Sequence, residues 1–172
     1  PEWVDLPGCD DRLHSFKDFD RRDVIVVVFT CNSCPYAVDY EERIQRLASK
    51  YEAVDARVGV VAINVNKIEA DLLPAMKQRA QERGFKFPYL FDETQQIAKA
   101  YGAGRTPEFF VIDRKRKIVY MGAMDDNTKE TNVQKRFVED AIDATLAGVP
   151  IPITETPPVG CAIRFVRDRK KG

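Results

Sequence analysis

The chain is poor in the residues that would announce a metal centre or a disulfide scaffold, with one histidine and four cysteines in 172 residues. Four cysteines are too sparse to staple a domain of this length. A closed zinc site needs four ligands, and beyond the closest cysteine pair only Cys9, Cys161 and His14 could contribute. No charge excess is present either: 27 Lys and Arg meet 27 Asp and Glu. A nucleic-acid binder usually carries a basic excess or stripe, and only the tail from Arg164 to Lys171 is locally basic. No long apolar run exists. The longest stretch without charge, Val24 to Val38, includes Asn32, Ser33 and Pro35 and falls short of the ~20 apolar residues of a membrane span. Nine glycines and ten prolines, against 44% apolar and 31% charged residues, disfavour disorder, collagen and low complexity. No internal repeat or flexible linker is visible, so one domain is expected over residues 1–172, large enough to bury roughly 70% of its unfolded surface. The chain opens at Pro1 without a basic-then-apolar leader, as expected if a leader has been removed or the chain trimmed. The compartment is not fixed by the sequence, with export to the periplasm favoured over the cytoplasm.

Residues Val24 to Phe29 (VIVVVF) form a continuous β-branched run, the pattern of a strand buried on both faces. After it, Tyr36, Tyr40, Ile44, Leu47 and Tyr51 recur at helical spacing, with Pro35 suited to the first turn. Arg57 to Asn66 is a second buried-strand pattern, and strand, helix, strand implies a right-handed parallel crossover. Leu73 to Arg83 and Thr94 to Tyr101 read as helices ended by Gly84 and Gly102. Phe109 to Asp113 and Lys117 to Met121 read as a hairpin whose turn, Arg114 to Arg116, lacks Gly and Asn. Val133 to Leu146 has one apolar helical face and ends at Gly148. From Pro150 onward four prolines impose an extended arm until Cys161, Ile163 and Phe165 alternate, as in an edge strand.

Cys31 and Cys34 form a CxxC pair between the buried strand and the helix. That position is expected to set Cys31 at the helix N-terminus, where free N–H groups and the dipole favour a thiolate, and Cys34 one turn inside. Cys31 then captures a disulfide and Cys34 resolves it. The alternatives for the pair are a zinc or structural site, or a carrier or sensor that holds a soft ion such as Cu(I).

The order strand, CxxC, helix, strand, then Thr106-Pro107 ahead of Phe109 to Asp113, resembles the thioredoxin superfamily. More narrowly, FTCNSCPYAVDYEERI, FPYLFDETQQIAKAYG, TPEFFVID and GCAIRF resemble its peroxiredoxin-like redoxins with a CNxCPY motif, a bacterial group of thiol-disulfide oxidoreductases. The resemblance implies an α/β thioredoxin-like fold, a central mixed sheet with helices on both faces, here with residues 149–172 as a C-terminal arm. It implies a thiol-disulfide oxidoreductase with antioxidant activity, acting on protein disulfides or small thiols with a separate reductase or oxidase, as a monomer or weak dimer. Thiol exchange requires no organic cofactor or metal, and no nucleic acid is implied. It also implies that Pro107 is cis and faces the cysteines, with the backbone at Thr106 pairing with a bound substrate strand.

Two departures matter. Related sequences often have His where Ser33 stands, a charge that would stabilise the Cys31 thiolate. The peroxidase branch has a Thr three residues before its peroxidatic cysteine and an Arg where Pro107 stands. Thr30 fits neither cysteine at that spacing, and Arg105 is a candidate substitute or a solvated loop residue. A thiol peroxidase is thus the alternative reading. A general base for Cys34 is not evident, since Val24 to Phe29 holds no acid and Glu108 reads as a surface carboxylate. Cys161 is a possible additional thiol, either resolving at the site or inert on an apolar face. Cys9 reads as a loop thiol, with a Cys9–Cys161 bridge conceivable in an exported protein. His14 reads as a surface or half-buried side chain.

Overall fold

The computed structural model describes residues 1–54 and 56–167. The end of the basic tail, 168–171, lies outside them. A hairpin of β1 (Leu6–Pro7) and β2 (Leu13–His14) precedes the central strand β3 (Val24–Phe29). There follow α1 (Pro35–Val54), β4 (Val58–Asn64), α2 (Leu73–Arg83), β5 (Tyr89–Phe91) and α3 (Gln96–Tyr101). The second half comprises β6 (Arg105–Thr106), β7 (Glu108–Ile112), β8 (Ile118–Gly122), α4 (Phe137–Ala147) and β9 (Cys161–Ala162).

The main sheet runs β5-β4-β3-β7-β8. β3, β4 and β5 are parallel to one another, β7 runs antiparallel to β3, and β8 runs antiparallel to β7. Every residue of β3 is buried because the strand lies mid-sheet with both faces covered. Its alternation assigns the two cores. Val24, Val26 and Val28 join Tyr40, Ile44, Leu47 and Tyr51 of α1, Met76 of α2, and Val138, Ala141 and Ile142 of α4. Ile25, Val27 and Phe29 face the other way, onto Ala98 and Tyr101 of α3 and the N-terminal Trp3, Phe16 and Phe19. This is the expected α/β thioredoxin-like arrangement.

Local departures have local causes. Tyr36, placed on the apolar face of α1 by its spacing, is 42% exposed at the helix's first turn. α4 begins at Phe137 and not Val133, because Asp126 binds the loop before it: its carboxylate accepts from Gln134 N at 2.9 Å and its N–H donates to Lys135 O at 3.1 Å. The hairpin turn manages without glycine by placing Arg116 at φ 61°, with its N–H donating to Asp113 O. β5 and the β1–β2 hairpin, two or three residues per strand, are too short to show a period in sequence.

The C-terminal arm is fixed at both ends. Met121 N donates to Thr154 O and Thr156 N to Met121 O, both at 3.1 Å, along the outer edge of β8. Gly122 (φ 138°) permits this, since a Cβ there would sit 2.1 Å from Thr156 O. Further on, β9 pairs antiparallel with β6, Thr106 opposite Cys161. Among the described residues, no helix is long and apolar enough to cross a membrane.

Candidate active site

The parallel strands β3 and β4 deliver their next residues to one end of the sheet, the usual place for a site in such folds. The chain leaving β3 reaches Cys31 within two residues. The helix does not begin at Cys31, however. The carbonyl of Cys34 accepts the first helical hydrogen bond, from Val38 N at 3.0 Å, and Pro35 is the first helical residue. A residue before proline is kept out of the helical region, and Pro at the first position costs no hydrogen bond. The expected positions therefore shift: Cys34 caps α1, and Cys31 lies in the loop ahead of it.

Both side chains are buried, each 2% exposed, in a small cluster with Ala37 on which Cys161 packs. All four cysteines are thiols. Thr106 touches both sulfurs of the pair: its Oγ1 lies 3.4 Å from Cys31 Sγ, and its carbonyl accepts from Cys34 Sγ at 3.1 Å. The Thr106-Pro107 bond is cis, as the resemblance implied.

The pair's ionisation is uneven. Burial pushes the Cys31 thiol above its ordinary value; contacts with the hydroxyls of Thr106 and Ser33 oppose this, and the charge of Asp71 adds to it. Burial acts in the same sense on Cys34 but is outweighed by hydrogen bonds from the Cys161 thiol and the backbone of Ala37 and Cys161, which hold Cys34 below its ordinary value. The helix N-terminus thus serves Cys34, not Cys31 as the sequence led one to expect. It also removes the need for a general base at Cys34, because hydrogen-bond donors stabilise its thiolate directly.

Asp71, fully buried, is the residue that sequence reasoning missed. It accepts from Asn32 N at 2.8 Å, Ser33 N at 3.0 Å, Ser33 Oγ at 2.6 Å and Asn66 Nδ2 at 3.2 Å, and so shapes the CNSC loop. Asn32 is further held by Tyr89, whose hydroxyl donates to Asn32 Oδ1 at 3.0 Å. The available signal was an acid in the connection that follows a buried parallel strand, on the same end of the sheet as the cysteines.

Glu108 is a correction: it is 7% exposed and accepts from Gly104 N at 2.8 Å and Arg105 N at 3.0 Å, bracing the turn that presents Thr106. A carboxylate directly after that turn satisfies its free N–H groups, so it is buried rather than solvated. Arg105 is exposed and donates to Gly160 O at 3.1 Å, on the arm. Cys9 packs on the α1 side of the core, where burial pushes its thiol up to about 12, while Cys161 packs on the CxxC cluster; no Cys9–Cys161 bridge forms. His14 Nε2 lies 2.9 Å from Asp10 Oδ1. Among the described residues, no three His, Cys, Asp or Glu side chains are grouped to hold a metal ion.

A family model described as Redoxin matches residues 4–137. The chain belongs to the redoxin family. This redoxin is 26% identical over 122 residues to the thiol-disulfide oxidoreductase ResA of Geobacillus thermodenitrificans, an alignment covering 69% of this chain and 63% of that protein. The crystal structure of an uncharacterized conserved protein from Geobacillus kaustophilus is 35% identical, with a TM-score of 0.89 over 98% of this chain and 91% of that one. The exposed lipoprotein thioredoxin Etrx1 of Streptococcus pneumoniae, at 16% identity, superposes with a TM-score of 0.65 over 87% of this chain and all of that one, a likeness of fold.

Proposed function

We propose that this redoxin is a thiol-disulfide oxidoreductase that cycles Cys31 and Cys34 between dithiol and disulfide with protein disulfides or small thiols as partners. The observation that carries the reading is the meeting of three features at one point: two buried thiols, hydrogen-bond donors at the start of α1 that hold Cys34 below its ordinary value, and Thr106 in contact with both sulfurs. The resemblance to a protein named as a thiol-disulfide oxidoreductase supports it. Cys31 captures the partner's sulfur, since it lies on the loop ahead of the helix. Cys34, already favoured as a thiolate, then attacks the mixed disulfide and releases the reduced partner. Thr106 positions both sulfurs. Arg105 donates to Gly160 O on the arm. The test is reduction of insulin disulfides with dithiothreitol as electron source, set against consumption of hydrogen peroxide under the same conditions. The reading expects insulin reduction that Cys31→Ser abolishes; peroxide consumption alone would establish the peroxidase instead.

A further inference from the structure

Cys161 is placed with more care than an inert thiol on an apolar strand needs. Its strand, β9, is the partner of β6, and Thr106 faces it across the pairing. The approach is so close that a Cβ on Gly160 would lie 2.0 Å from Thr106 O and 3.1 Å from Pro107 N, so only glycine lets the arm descend onto the sulfurs. Beyond Cys161 the arm is bonded residue by residue. Ile163 N donates to Gly104 O at 2.9 Å, Arg164 N to Asn66 Oδ1 at 3.0 Å, and Val166 N to Gln95 Oε1 at 2.8 Å. Gln95 is itself 2% exposed and donates from Nε2 to Arg164 O at 2.9 Å. Asn66 also donates to Asp71, so one buried network joins the CNSC loop to the arm. The result is that Cys161 packs directly on the buried cluster of Cys31, Cys34 and Ala37.

We propose that Cys161 is a third redox thiol, an internal partner that exchanges with Cys34, so that a disulfide on Cys34 passes between Cys31 and Cys161. The inference rests on the reading of Cys31 and Cys34 as a redox pair. Starting from the Cys31–Cys34 disulfide, the Cys161 thiolate attacks the Cys34 sulfur; the Cys34–Cys161 bond forms as the Cys31–Cys34 bond breaks. The electron pair leaves on the Cys31 sulfur, which takes the proton Cys161 gave up. One disulfide replaces another, so no external oxidant or reductant enters. In the dithiol state the hydrogen bond to Cys34 is the leading cause that pushes Cys161 up to about 11. Once Cys34 is in a disulfide it no longer acts on Cys161 in that way, and the Cys161 thiol is correspondingly freer to ionise. The Cys34–Cys161 form leaves Cys31 free and fastens the arm along Thr106, the backbone edge beside both sulfurs, which an extended peptide must displace the arm to reach.

The experiment uses Cys31→Ser, which keeps three of the four cysteines. After equilibration with oxidised glutathione, which supplies the oxidation and leaves as two glutathiones, peptides are mapped without reduction. The inference expects a Cys34–Cys161 linked peptide as the main product and a fall from three free thiols to one, Cys9. Glutathione left on Cys34, with Cys161 free, would overturn it. The native chain, oxidised and mapped in parallel, guards against a misfolded variant: it should show a Cys34–Cys161 peptide beside the Cys31–Cys34 one, and its absence there overturns the inference too. Insulin reduction is read separately. A chain that forms the Cys34–Cys161 link but reduces no insulin would leave this inference standing and remove the proposed function, and the converse result would do the reverse.

Discussion

Asp125 and Asp71 are both buried carboxylates, at 4% and 0% exposure, and they are held in opposite ways. Asp125 has a cation: Arg43 Nη1 donates to its Oδ2 at 2.7 Å while the Tyr40 hydroxyl donates to Oδ1 at 2.9 Å, and Arg43 also donates to the carbonyls of Asn127 and Thr128. Asp71 is held by neutral donors, two of them backbone N–H groups of the CNSC loop. A neutralised pair fixes α1 to the loop after β8 and leaves no net field. A carboxylate held by neutral donors shapes the active loop, and its charge acts on Cys31. The first is an arrangement for stability; the second gives up stability for control of a thiol.

Breaking the paired site should have the largest effect. Asp125→Ala strands the Arg43 guanidinium in the interior, and loss of one partner of a buried pair costs about 3–5 kcal/mol. Urea unfolding followed through the fluorescence of Trp3, the chain's one tryptophan, should show that loss, with insulin reduction by the remaining folded protein unchanged. Asp71→Ala leaves the N–H groups of Asn32 and Ser33 without their acceptor, at a cost of about 2–3 kcal/mol in the same measurement.

Asp71→Asn sharpens the contrast, since it keeps the shape and removes the charge. Burial and Asp71 both raise Cys31, so at neutral pH its thiolate fraction is small and grows about tenfold per pH unit. Alkylation of Cys31, read by mass spectrometry, should therefore climb with pH past the ordinary thiol value. Asp71→Asn should move that curve to lower pH. An unmoved curve would mean that the carboxylate acts on the loop's shape alone.

The smallest effect comes from giving Asp71 a cation of its own. Ser33 Oγ lies 2.6 Å from Asp71 Oδ2 and 3.7 Å from Cys31 Sγ, so Ser33→His sets an imidazole between them. If its charged form stabilises the Cys31 thiolate by about 1.4 kcal/mol, the reduction potential rises by about 30 mV in a glutathione titration.

The contrast also explains what could be read in the sequence. The strands and helices around the cysteines were legible because β3 and α1 carry unbroken periodic patterns, and Thr106-Pro107 only through the resemblance to the thioredoxin superfamily, since a proline before a strand is by itself an ordinary turn. The helix start was not, although Pro35 held the information: spacing from the strand pointed to Cys31, while the rule for residues before proline pointed to Cys34. Asp71 was not legible because no local pattern marks an acid whose partners lie on another loop of the chain. Glu108 misled for a related reason, its partners being backbone N–H groups of a turn that only the fold defines. Cys161 could be singled out in sequence, but its place beside Cys34 depends on how the arm returns across Thr106.

The central claim, that Cys31 captures and Cys34 resolves, is tested most directly by trapping. Cys34→Ser is mixed with 5,5′-dithiobis(2-nitrobenzoic acid) in limiting amount, and the adduct is located by mass spectrometry. The account predicts a stable thionitrobenzoate mixed disulfide on Cys31. An adduct on Cys9 or Cys161, with Cys31 unmodified, would contradict it.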